Sequence, residues 1–238
     1  MNIRGERECT GCGTRWSYYE TGSVGCPACG SLRSVGTGER SSHTDRPTDF
    51  DLTAVRGAID DCSSEELADR ARTVCRKYLR NRGFVSGGQL RELDEMYLAA
   101  AELDHVADLV ARTSRLTEDE ELYFLALLRD ADAGERPAAD AIPASFREAR
   151  GLAVADAIRE YRRDIRLWIE ETDRTLSDAA RSTLEILIDH ETRLRMLDGD
   201  VDPETAETLL EATRHLGNGV RGDEYALEQA QDGLESVF

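Results

Sequence analysis

Cys9-Thr10-Gly11-Cys12-Gly13 and Cys26-Pro27-Ala28-Cys29-Gly30 decide how this chain is read. Each is a C-x-x-C pair followed by glycine. A C-x-x-C turn aims two sulfurs at one centre, and the following glycine lets the backbone curl round them with positive φ. Two such pairs supply four thiolates, which is the donor set of a closed structural zinc site. The expectation is one zinc per chain, held by Cys9, Cys12, Cys26 and Cys29, with iron as the alternative metal. Between the pairs, Trp16, Tyr18 and Tyr19 precede Gly22, and this aromatic stretch predicts a β-hairpin. Ser31 to Val35 predicts a further strand. A module of about 40 residues has too small an apolar core to fold alone, so metal binding is expected to supply most of its folding free energy.

These two knuckles resemble the zinc ribbons of the transcription factor B type. The whole chain resembles an uncharacterised haloarchaeal family of proteins that carry such a ribbon at the N-terminus. The resemblance implies the ligand role for the four cysteines and nothing more; a transcription-associated role is a separate expectation for the chain. Rubredoxin-like modules share the C-P-x-C-G signature and bind iron, and they occur joined to ferritin-like bundles. That combination needs two Glu-x-x-His pairs. This chain has Glu102-x-x-His105 alone, read here as an ordinary surface pair.

Working outward, charge separates the ribbon from the rest. The 238 residues carry a net charge of -18. Residues 1–49 hold six arginines and six acidic residues, so the whole excess lies in 50–238. Lys77 is the one lysine. Acidic, lysine-poor composition predicts a halophilic protein, kept in solution by its carboxylates at high salt. No apolar run approaches the ~20 residues that span a bilayer, so no membrane association is expected. Residues 1–6 lack the apolar centre of a secretion signal, and paired cysteines suit a reducing compartment, so a cytoplasmic location is expected.

The expected architecture is mainly α: a ribbon over 1–40, a polar linker over 41–51, and an all-α domain over 52–238 with a possible division near 134–143. His43, in the linker, is expected to be solvated. Helices are predicted over 52–61, from Ser63 to Gly83, Gln89 to Arg112, Thr117 to Gly134, Ala144 to Thr172, Asp178 to Leu197, Asp202 to Gly217 and Glu224 to Leu234. Ser63-x-x-Glu66 and Thr117-x-x-Glu120 are capping boxes, and Asp202-Pro203 is an N-cap followed by N1 proline. Gly217 to Gly222 reads as a turn. Cys75 lies on an apolar helix face and is expected to be a buried thiol.

Two basic faces stand out. One holds Arg72, Arg76, Lys77 and Arg80; the other holds Arg159, Arg162, Arg163 and Arg166. Either is a contact surface for an acidic partner, or simply neutralises acidic neighbours. Candidate partner-binding residues are Arg15, Tyr18, Tyr19 and Arg33 on the ribbon with Arg72, Arg76, Lys77 and Arg80 on the body. No phosphate-binding loop, nucleophile–base pair or evident small-molecule substrate site is read, so the expectation is not an enzyme. It is a zinc-binding adaptor for a protein partner, with nucleic acid second. The alternatives are an interaction protein whose ribbon only clamps its N-terminus, and a rubredoxin-like iron electron carrier.

Overall fold

The computed structural model describes residues 2–172 and 174–237. The chain is mainly helical, with a small antiparallel sheet at its N-terminus. Strand β1 (Asn2–Cys9) is the centre of that sheet, between β2 (Arg15–Ser17) and β3 (Ser34–Ser42). The expected hairpin is therefore replaced. After β2 the chain forms a single helical turn, α1 (Tyr18–Thr21), closed by Gly22 at φ 61°. Strand β1 escaped the sequence reading because its charged residues give no apolar alternation: Arg4, Glu6, Arg7 and Glu8 all lie in it.

Residues 43–46, within the stretch 41–51 expected as linker, are bound to the body. The Thr44 and Asp45 amides donate to the Val85 carbonyl, at 2.8 and 3.2 Å, and the Arg46 amide donates to Asn81. Asp45 accepts from Arg82 at 2.5 Å. His43 is buried, not solvated, with its ring 4.8 Å from that of Tyr19 and 6.1 Å from that of Tyr18. Burial lowers its pKa.

The body begins with α2 (Thr53–Arg56) and α3 (Ser64–Asn81). The Ser63 hydroxyl caps α3 by accepting from the Glu66 amide. A two-stranded hairpin follows, β4 (Val85–Ser86) and β5 (Gln89–Leu90). Gly87 and Gly88, at φ 58° and 79°, make its turn. Two consecutive positive-φ residues are what a tight hairpin needs, and two glycines supply them. Helix α4 (Glu95–Arg112) therefore starts six residues later than Gln89, where Asp94 caps the Tyr97 amide at 2.8 Å. Helix α5 (Glu118–Asp130) opens on the complete Thr117/Glu120 capping box. Three 3-10 turns, Ala131–Ala133, Ala139–Ala141 and Ala144–Phe146, lead into α6 (Arg147–Glu171), followed by α7 (Asp178–Met196), α8 (Pro203–Arg221) and α9 (Glu224–Glu235).

Helix α8 does not stop at Gly217. It runs through Arg221 and ends at Gly222, φ 117°. Gly217 instead permits a close crossing, since a Cβ there would overlap the Tyr161 hydroxyl of α6. Helix α6 is the axis of the body, buried along Val154, Ile158, Tyr161, Ile165 and Trp168. It packs on α4, α7 and α8. Glu102, expected on the surface, is sealed inside and does not pair with His105. Its carboxylate accepts from Tyr123, from Arg136 at 3.3 Å and from Arg150 at 3.5 Å. Glu207 of α8 closes the network, 2.7 Å from Arg150. An isolated buried carboxylate would be very costly, so Glu102 persists because two guanidinium groups and a phenol surround it.

Candidate metal centre

The two cysteine knuckles are built the same way. The Cys9 amide donates to the Thr14 carbonyl at 2.9 Å, and the Gly13 amide donates to the Cys9 carbonyl at 3.0 Å. In the second knuckle the Cys26 amide donates to Ser31 at 2.9 Å, and Gly30 donates to Cys26 at 2.9 Å. Gly13 and Gly30 adopt φ 73° and 70°, as the glycine after each pair predicts. Strand β1 delivers Cys9 from the sheet, and the loop after α1 carries Cys26 back over it.

The four Sγ atoms lie within 4.8 Å of one another. Cys9 and Cys29 are separated by 3.7 Å, and Cys12 and Cys26 by 3.5 Å. All four are free thiols. Those gaps are too long for a disulfide, at about 2.05 Å, but close to the ~3.8 Å edge of a tetrahedron with ~2.3 Å zinc–sulfur bonds. The cluster can hold a metal ion, and the donor set fits zinc or iron.

The protonation pattern points the same way. The Thr14 hydroxyl, 3.2 Å from Cys12, leads the groups that lower that thiol to about 6. Burial opposes ionisation of Cys26, but the Cys29 and Ala28 amides outweigh it and lower its pKa. The Ser31 amide favours a thiolate at Cys29, yet the adjoining sulfurs of Cys12, Cys26 and Cys9 push it up to about 12. Amides and a hydroxyl favour thiolates here, but their mutual repulsion prevents complete ionisation. A divalent cation at the centre removes that repulsion.

Beneath the cluster, Trp16 is buried with Cys9 and Cys26, its indole donating to the Ser23 carbonyl at 2.9 Å. It packs the ribbon core. The other ribbon aromatics are not displayed as stacking platforms. Tyr18 is half-buried beside His43, and the Tyr19 ring lies over Gly5 and Gly87 with its hydroxyl donating to Ile3. Arg15 is exposed and paired with Glu8 at 2.9 Å, and Arg33 is exposed.

The basic residues of α3 divide. Arg72 turns toward α4 and pairs with Asp108 and Asp69. Arg76 meets Asp104 at 3.1 Å, Arg80 donates to the Arg76 carbonyl, and Lys77 is exposed. Thus Arg72 serves internal charge balance, while Arg76 and Arg80 face outward. On α6, Arg162 pairs with Glu191 at 2.8 Å, and Arg159 and Arg163 pair with Glu160. The sequence reading did not find the exposed aliphatic side chains Val24, Leu32 and Val35 around the second knuckle. Leu32 is 77% exposed. Its signal was an apolar residue three positions after a ligand, in the bend between the second knuckle and β3.

The DUF7117 family profile matches residues 1–234. The chain belongs to this family of unknown function. No curated protein and no solved structure matches it. Membership of DUF7117 covers ribbon and body together, so the four-cysteine cluster is one part of a longer matched unit. No described helix is long and apolar enough to cross a membrane.

Proposed function

We propose that this DUF7117 chain is a non-enzymatic zinc-binding adaptor whose ribbon end engages a protein partner. The observation that carries the reading is the apolar rim of Val24, Leu32 and Val35 beside the cysteine cluster. Metal binding fixes the loop that bears Val24 and Leu32, so these side chains are held outward at little entropic cost to association. Three aliphatic groups suit a protein surface. Nucleic acid would need aromatic platforms, and Tyr18 and Tyr19 are turned to His43 instead. The transcription-associated setting stays with this adaptor reading as a separate expectation.

The test is capture by the full chain from the native cytoplasm, with and without nuclease. Leu32→Asp abolishes a nuclease-resistant capture, and the Arg72, Arg76, Lys77 and Arg80 to Gln variant retains it. Capture that disappears with nuclease, or that Leu32→Asp leaves intact, overturns the reading. The acidic surface supports a high-salt interior as the working environment. A melting temperature that stays constant between about 0.1 M and about 3 M KCl removes that part, because the Debye length changes severalfold over this range.

A further inference from the structure

Leu122 is 59% exposed, in a helix whose other apolar side chains are buried or half-buried. A single exposed leucine needs no explanation, but this one borders a groove. The groove runs between α5 and residues 137–143, with a volume of about 410 Å³. Asp119, Leu122, Tyr123 and Ala126 form its α5 wall, at the i, i+3, i+4, i+7 spacing of one helix face. Pro137, Ile142 and Pro143 form the opposite wall, with Asp140 exposed beside them. We propose that this groove docks a basic segment of a protein partner, seating one aliphatic side chain between two cationic ones. The proposal is independent of the ribbon rim and gives the chain a second contact surface, which an adaptor requires.

Charge is the first argument. Asp119 and Asp140 stand on opposite walls, and among the described residues neither carboxylate has a hydrogen bond or an ion pair. The acids in the first turn of α5 suit the positive end of the helix dipole. Asp140 lies outside that helix, so the dipole does not account for it. Arg136, the residue before Pro137, and Arg150 are engaged by Glu102 and Glu207 instead. Rigidity is the second argument. Pro137 and Pro143 restrict the backbone of their wall. Arg150 donates to the Pro137 carbonyl at 2.9 Å, and the Ser145 hydroxyl donates to Glu120 at 2.5 Å, so the segment is tied down near both ends. A preformed groove adds little ordering cost to association. Third, Tyr123 and Ile142 are buried, and the Tyr123 hydroxyl is turned inward to Glu102, so its ring offers carbon to the groove.

The two acids select the occupant. Carboxylates on both sides of an apolar slot match guanidinium or ammonium groups on both sides of an apolar anchor. They repel an acidic segment and the phosphates of nucleic acid. The chain's own Leu32 and Arg33, both exposed, offer an aliphatic group with one cation, so a second copy is a competing occupant that the experiment separates.

The experiment is selection of a random-peptide phage library on the immobilised full chain, in KCl at which circular dichroism shows it folded. The selected peptides, made synthetically, are expected to carry an aliphatic residue flanked by Arg or Lys. Leu122→Asp should weaken them by about tenfold or more, the loss expected when one aliphatic contact is removed. Asp119→Asn combined with Asp140→Asn should weaken them by about threefold, an effect that vanishes for peptides in which Gln replaces the cations. Leu32→Asp, on the ribbon, should leave them within about twofold. Circular dichroism melts establish that each variant is folded. Selected peptides without cations, peptides that bind Leu122→Asp undiminished, or no selected peptide at all overturn the proposal. So does self-association in sedimentation that Leu122→Asp and Leu32→Asp each abolish, which makes a second copy the occupant.

Discussion

Cys9 and Leu103 are both almost sealed from water, in surroundings that have little in common. Around Cys9 the buried ribbon cluster consists of Cys9, Trp16 and Cys26. Around Leu103 the buried cluster runs continuously from Phe50 to Val237. At roughly 25 cal/mol per Å² of apolar burial, the first set cannot offset the chain entropy of some forty residues, whereas the second is an ordinary domain core. The ribbon must draw its order from a cation and from the surface it rests on. The body draws its order from packing and from buried ion networks such as Glu102–Arg150–Glu207.

That contrast can be broken most directly at the metal. One zinc per chain is expected by elemental analysis of protein purified without added metal. Cys26→Ser should remove it, at a cost on the order of 10 kcal/mol to the ribbon. Hydrogen exchange should then collapse over β1, β2 and β3 while α4 and α6 remain protected. One equivalent of iron with a red colour would replace zinc in this account, and a ribbon that stays protected without any metal would falsify it.

The seam is the next place to press. Asp164 is buried, and its Oδ2 accepts from the Thr44 hydroxyl at 2.6 Å and from the Phe84 amide at 2.7 Å. Asp164→Ala strands both donors, and a loss of about 3 kcal/mol is expected in urea unfolding. Exchange at Phe84 and Val85 should rise even with metal bound. Protection unchanged at those amides means that ribbon and body are joined elsewhere.

Within the body, Gly217→Ala drives a methyl group into Tyr161 and should cost about 2 kcal/mol, read as a lower melting temperature with the ribbon unaffected. The smallest effect is electrostatic. Burial works against the Asp156 anion, but hydrogen bonds from His105 and Arg195 outweigh it and hold the carboxyl at about 2. A pKa depressed on folding contributes stability above the ordinary value of 3.8 and loses it as pH falls toward 2. Asp156 is partly solvated, so about 1 kcal/mol is expected, and Asp156→Asn should flatten the pH profile between about 4 and 2. An identical slope in the variant assigns acid sensitivity to other carboxylates.

The same contrast explains what was legible. The metal knuckles are local: residues four apart set the turn, and Gly13 and Gly30 mark it. Helix caps at Ser63, Thr117 and Asp202 are local too, and each was readable. What escaped depends on distant partners. Glu102 looked like surface because its neutralising arginines lie 34 and 48 residues away. Gly217 looked like a helix stop because Tyr161, which needs the missing methyl, is on another helix. The β4–β5 hairpin did have a local signal in Gly87-Gly88, overridden by the helical spacing of Leu90 and Leu93.

Thr44 lies so close to Gly83 that any larger residue at 83 would displace it. This has a consequence for descent. A crossover between genes is harmless only where few contacts are cut. Here a crossover beyond Arg46 would separate Thr44 from Gly83, Asp45 from Arg82 and Tyr19 from Gly87. Ribbon and body are therefore expected to be inherited as one piece, and the less disruptive junction is the end of β3, which leaves Thr44 and Asp45 with their partners in the body.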